Sequence, residues 1–108
     1  MTIYVVETFV VKPDKADEWA SVYKKYLALI KKHPDLHTEV KSYKVFNHWL
    51  GGSQGGTVVM WEMESIEDIP KRSRKLSGNK EFTDEIYPNF LNIMVPRSYS
   101  VNVWTPFQ

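Results

Sequence analysis

The stretch from Val40 to Glu64 limits the possible folds more than any other part of the chain. It reads VKSYKVFNHWL, then GGSQGG, then TVVMWEME. Two runs rich in aromatic and β-branched residues flank a polar, glycine-rich break, the pattern of antiparallel strands joined by a long hairpin loop. Four glycines in six positions let the loop close easily, because glycine reaches positive φ at no steric cost. The remainder of the chain supplies one strand and one helical region on each side of this hairpin.

Before the hairpin, residues 3–11 (IYVVETFVV) form a dense apolar run broken by one charge, as expected of a strand covered on both faces. Alternation sets Ile3, Val5, Glu7, Phe9 and Val11 on one face and Tyr4, Val6, Thr8 and Val10 on the other. Lys12-Pro13 ends the run, and Asp14 is placed to cap a helix with Asp17 and Glu18 in its first turn. From there to Lys32, Ala16, Trp19, Ala20, Tyr23, Leu27 and Ile30 keep helical spacing. His33-Pro34 stops the helix, since a residue before proline is pushed out of the α region.

After the hairpin, Ser65 with Asp68 three residues later opens a second helical region, with Pro70 tolerated near its start or moving that start to about Asp68. Ser77-Gly78-Asn79 interrupts it. Helical spacing resumes from Lys80 to Met94 through Phe82, Ile86, Phe90 and Leu91, with a kink or a division expected at Pro88. The alternating RSYSVNVWT makes a last strand, half exposed. The order β-α-β-β-α-β is the split βαβ arrangement, an α+β ferredoxin-like fold in one domain spanning 1–108. A four-stranded antiparallel sheet with both helices on one face follows. Its other face, carrying Tyr4, Val6 and Val10 or their alternates, then needs cover, and a homodimer joined through that sheet face is expected.

The layout, with YVVETFVVKPDKADEW at the entry and VVMWEMES after the hairpin, resembles the dimeric α+β-barrel superfamily. Its "strand, K-P-x-K, long helix" opening and "W-E-x-x-S" strand end are similar to NIPSNAP-like and antibiotic-biosynthesis-monooxygenase-like domains. The resemblance implies a dimeric barrel and a function within a set that includes cofactor-free oxygenases of polycyclic aromatics, heme-degrading enzymes, small cyclases and isomerases. Heme-degrading members carry an Asn near the position of Glu7 and a Trp and a His in the second helical region. Residues 65–95 contain neither Trp nor His, so the resemblance does not extend to heme degradation.

Charge and composition narrow the chemistry. Fourteen basic and thirteen acidic residues set no strong field, which argues against nucleic acid and anionic membranes as partners. With no cysteine there is no thiolate nucleophile or disulfide, in keeping with a reducing compartment. The opening MTIYVVETFVV has no basic lead or cleavage site and reads as a strand, so a cytoplasmic protein is expected. His33 and His37 are four apart but separated by Pro34, so no metal site is expected, and no cofactor.

Glu7 is the most informative residue. A carboxylate within an apolar strand is costly unless it is paired or faces a cavity. It is either held by a nearby Lys, Arg or Tyr, or it serves as a general base in a pocket between sheet and helices. His48, beside Trp49, and Tyr99 are candidate catalytic helpers, although a histidine there can equally cap a strand end. The aromatics are core or interface in the main, but Trp19, Trp61 and Phe82 could stack a small apolar, planar ligand. Lys71, Arg72, Arg74 and Lys75 make a basic cluster on the second helix, either a solvated face or a site for an anion. Two functions stay open: a small-molecule enzyme, such as a cofactor-independent monooxygenase of an aromatic or polyketide-like substrate, and a non-catalytic dimeric ligand-binding or interaction module.

Overall fold

Strand β1 (Ile3–Val10) is an inner strand of a four-stranded sheet ordered β2-β3-β1-β4, with β2 (Val40–Asn47), β3 (Gly56–Met63) and β4 (Ser100–Trp104). A computed structural model describes residues 2–47 and 55–107. Every strand pairing is antiparallel. Helices α1 (Ala16–Lys32), α2 (Asp68–Ser77) and α3 (Tyr87–Ile93) pack on one face of that sheet. This is the α+β ferredoxin-like arrangement expected from the order of the elements.

Register decides which side chains meet the helices. Val5 lies opposite Trp61 on β3, and Glu7 opposite Val59. Directly paired residues share a face, so Ile3, Val5, Glu7 and Phe9 join Val59, Trp61 and Met63 beneath the helices. There they enclose a core with Val22, Tyr26 and Leu29 of α1, Leu76 of α2 and Ile86. Burial of each such aliphatic chain is worth roughly 1.5–3 kcal/mol, the main favourable contribution in a domain of this size.

The helix starts differ from expectation. Asp14 does not cap α1: it sits in a turn closed by the Lys15 amide on the Lys12 carbonyl, and Lys15 takes the capping position without a side-chain bond. Ser65 does not cap α2 either. The Asp68 carboxylate accepts the Ser65 amide at 3.2 Å, the reciprocal half of a capping box, and the helix begins at Asp68.

The break at Pro88 is resolved by a widened turn. Asn79 caps the segment through the Phe82 amide at 2.9 Å. Phe82–Ile86 then form a π-helical turn, in which the Tyr87 amide reaches back to the Phe82 carbonyl. Pro88 has no N–H to give to the preceding turn, so the ladder widens there and α3 restarts beyond it.

Two turns fix strand positions. At Gly55, φ is +80° and a Cβ would come within 2.6 Å of the Val11 carbonyl, so only glycine fits where β3 enters the sheet. In the turn before β4, Ser98 accepts the Val10 amide at 3.0 Å and donates to the Val95 carbonyl at 2.7 Å. That turn directs Tyr99 back over β1.

Candidate functional site

A cavity of about 320 Å³ lies between the sheet and the helices. Each wall follows from a periodicity. Trp19, Tyr23 and Tyr26 recur at i, i+4 and i+7 on α1, while Arg72 and Leu76 are one turn apart on α2. Glu7 and Phe9 come from β1, Val59 and Trp61 from β3, and Phe82, Phe90 and Tyr99 from the second helical region and the chain leading into β4. Phe9 meets Trp19 and Phe90 edge-on, with ring centroids 5.3 and 5.0 Å apart. Tyr87, Leu91 and Tyr99 are exposed and mark the rim. Walls this apolar, with a few convergent polar groups, suit a small planar ligand.

Glu7 points into this cavity because it falls on the helix-side face of β1. Its two oxygens accept hydrogen bonds from the Trp61 indole N–H and from the Tyr99 hydroxyl. Both are neutral donors, so the carboxylate is hydrogen-bonded without being neutralised by a cation. Burial raises the Tyr99 hydroxyl pKa well above the usual range, and the Glu7 charge and hydrogen bond push it further up. Tyr99 therefore keeps its proton and remains a donor to Glu7 across ordinary pH.

A second polar group sits across Trp61. The Arg72 guanidinium stands 4.3 Å from the centroid of the Trp61 ring, a cation–π contact. One of its nitrogens donates to the Tyr26 oxygen at 2.5 Å, and that oxygen lies 2.6 Å from His37 Nε2. Burial raises the Tyr26 pKa, with the Arg72 charge acting the other way. Burial and the Arg72 charge together lower the His37 pKa to about 4, against the pull of Glu39. The imidazole is thus neutral at pH 7 and can accept the Tyr26 proton at Nε2.

This depressed value has a measurable consequence. An unfolded histidine titrates near 6.5, so between about pH 6.5 and 4 the unfolded chain binds the extra proton. Stability should hold level from pH 8 to 7 and fall as pH drops through that window. Thermal melts at half-unit steps measure this. His37→Gln, which keeps an acceptor but cannot titrate, should flatten the fall between 6.5 and 4, whereas an unchanged slope would assign it to carboxylates alone.

Of the residues singled out from sequence, Glu7, Tyr99, Trp61, Phe82 and Trp19 all line the one cavity. His48 lies outside the described residues. The basic cluster divides: Lys71 and Arg74 are exposed, Arg72 turns inward, and Lys75 ties α2 to the turn at Pro34–His37. Lys75 pairs with Glu39 at 2.7 Å and donates to the Asp35 carbonyl at 3.0 Å. Neither a wholly solvated face nor an intact anion-binding cluster describes these four residues. The sequence alone does not mark Tyr26, His37 and Arg72 as cavity or cavity-supporting groups. Helical spacing was the available signal, since Ile69, Arg72 and Leu76 recur at i, i+3 and i+7. Among the described residues, no group of three His, Asp or Glu could hold a metal ion.

No protein-family model matches this sequence, and no curated protein matches it. Its fold does match solved structures. A NIPSNAP family protein from Agrobacterium tumefaciens superposes with a TM-score of 0.76 at 16% identity, covering 99% of this chain and 94% of that one. An uncharacterised NIPSNAP-like domain protein from Burkholderia xenovorans gives 0.73 at 20% identity, over 98% and 85% of the two chains. A Caulobacter crescentus protein, provisionally assigned as an antibiotic biosynthesis monooxygenase, gives 0.73 at 18% identity, over 99% and 91%. The chain shares the fold of these proteins along its whole length, and at such identities the likeness carries fold alone.

Proposed function

We propose that this protein binds a small planar, aromatic molecule in the cavity between sheet and helices, and that Glu7 removes a proton from it. The observation that carries this reading is a carboxylate facing an aromatic cavity with neutral donors on both oxygens. Such a base could take a proton from a carbon activated by neighbouring carbonyl and aryl groups. The resulting carbanion would react with dioxygen to give a hydroperoxide, which loses water to leave a carbonyl. One oxygen atom enters the product and the other leaves as water, without a cofactor. Tyr99, which stays a donor, is placed to hold the carbanion's oxygen, while protonated Glu7 gives its proton to the peroxide and is restored as the carboxylate.

One observation favours the non-catalytic reading: Glu7 already has two protein partners, as a purely structural carboxylate would. Binding without turnover is its signature. Titration with a planar aromatic, followed at the Trp61 indole N–H, tests the binding step common to both.

The open face of the sheet supports a homodimer. It carries Tyr4, Val58 and Met60, with Phe46 47% and Trp104 52% exposed, while Val6, expected to need cover from a partner, is already buried by its neighbours at 1%. Large apolar side chains displayed together on a sheet mark a contact surface. Native mass spectrometry at micromolar concentration should give twice the 12.7 kDa of one chain. Phe46→Asp with Trp104→Asp should shift that mass to the monomer, and a monodisperse monomer for the unaltered chain would contradict the dimer. No helix is long and apolar enough to cross a membrane among the described residues. A cytoplasmic protein is the location we propose, in keeping with a chain that has no cysteine.

A further inference from the structure

We infer that the ligand of this cavity is an anion, its negatively charged oxygen held by Arg72 while its reacting edge faces Glu7. The inference rests on the cavity being a ligand site, as proposed above, and adds the charge class of the ligand. Arg72 is the reason. Ion pairs among the described residues join Lys15 to Glu18, Lys32 to Glu81, Lys41 to Glu64 and Lys75 to Glu39, and none includes Arg72. Its Nε is buried with no hydrogen-bond partner. Arg72 is half-buried, and a guanidinium with a buried, unpaired N–H normally gains a carboxylate in return, because desolvating an unpaired charge is costly. Here it has only the Trp61 ring face and the Tyr26 oxygen.

The nearest opposite charge in the cavity is already occupied. Glu7 accepts from Trp61 and Tyr99 rather than from Arg72. Trp61 stands between the two charges, with its π face towards the guanidinium and its N–H on the carboxylate. The cavity is thus polarised, with a cation that has no carboxylate partner on one side and a base on the other, joined by aromatic walls. A guanidinium offers five N–H donors in a flat fork that matches a carboxylate or enolate. A planar ring bearing such an oxygen satisfies the orphaned Arg72 and brings the rest of its edge towards Glu7. A neutral hydrocarbon leaves Arg72 without a counter-charge. The anionic oxygen also explains how Glu7 could deprotonate its ligand without two negative charges meeting unscreened, since Arg72 neutralises the first.

The test compares 2-naphthoate with 2-naphthamide, which match in shape and differ in charge. Calorimetric titration at pH 7 should show the carboxylate binding at least about tenfold more tightly. Arg72→Met should abolish that preference, with the amide binding as before. Arg72→Lys, which keeps the charge but loses the fork, should retain part of it, and melting curves confirm that each variant is folded. Equal binding of both compounds by the unaltered protein would overturn the charge assignment and leave the cavity as a binding site. A preference that survives in Arg72→Met would overturn the role of Arg72. Binding of neither compound would remove the cavity reading itself, and this inference with it.

Discussion

Trp61→Ala should cost about 3–5 kcal/mol of folding stability, because a buried indole is replaced by a cavity that its neighbours only partly fill. Trp61 is 6% exposed, and its ring contacts Tyr26, Tyr43 and His37. Domains of this size are stable by roughly 5–15 kcal/mol, so the loss would be a large share of the total. The effect reaches beyond packing, since the same ring supplies Glu7 with a donor and Arg72 with a face. Trp61→Phe separates the two contributions. It keeps most of the apolar contact but removes the N–H, and should cost about 1–3 kcal/mol for the partner left unsatisfied. Urea denaturation of the three proteins measures both, and a loss below about 1 kcal/mol for the alanine variant would mean that the cavity wall is not packed as described.

Glu7→Gln should leave binding of a planar ligand close to unchanged while slowing its deprotonation by about a hundredfold to ten-thousandfold. The amide oxygen still accepts a hydrogen bond from Trp61 or Tyr99, so the site keeps its shape. What it loses is the capacity to take a proton. Turnover of an identified substrate, measured as dioxygen consumed, separates the two readings of the site. Unchanged turnover in Glu7→Gln would remove Glu7 from the chemistry. Ligand binding by the unaltered chain with no turnover of any substrate would favour the binding module.

The fold was largely legible from local patterns. Period-two alternation in residues 3–11 groups Glu7 with Ile3, Val5 and Phe9, and the core contacts set that group under the helices. The alternating RSYSVNVWT reads as a last strand, and the pairing of β4 with β1 sets Val101 and Val103 on that face too. Other features depend on information that spacing alone does not carry. Asp14 has the chemistry of a cap, yet the turn after Pro13 takes the backbone there first. Pro88 announced a break, but not that a π turn would absorb it. Charge groups Arg72 with its basic neighbours, but its place on the apolar stripe of α2 decides its direction. Charge groups Lys75 with it too, yet Lys75 bridges two elements. Tyr26 and His37 meet only because the turn at Pro34–His37 folds back on α1, a tertiary contact no window of the sequence displays.

The cavity as a ligand site is the claim on which the rest depends, and the indole resonances test it most directly. The chain has four tryptophans, so a ¹⁵N-labelled sample gives few indole N–H signals, each assignable by a single Trp→Phe change. Trp61 and Trp19 line the cavity, while Trp104 lies on the open face of the sheet. Titration with 2-naphthoate should move the Trp61 and Trp19 signals together along one saturating curve and leave Trp104 in place. A titration that moves Trp104 alone, or that moves neither Trp61 nor Trp19 at millimolar ligand, would contradict a binding site between sheet and helices.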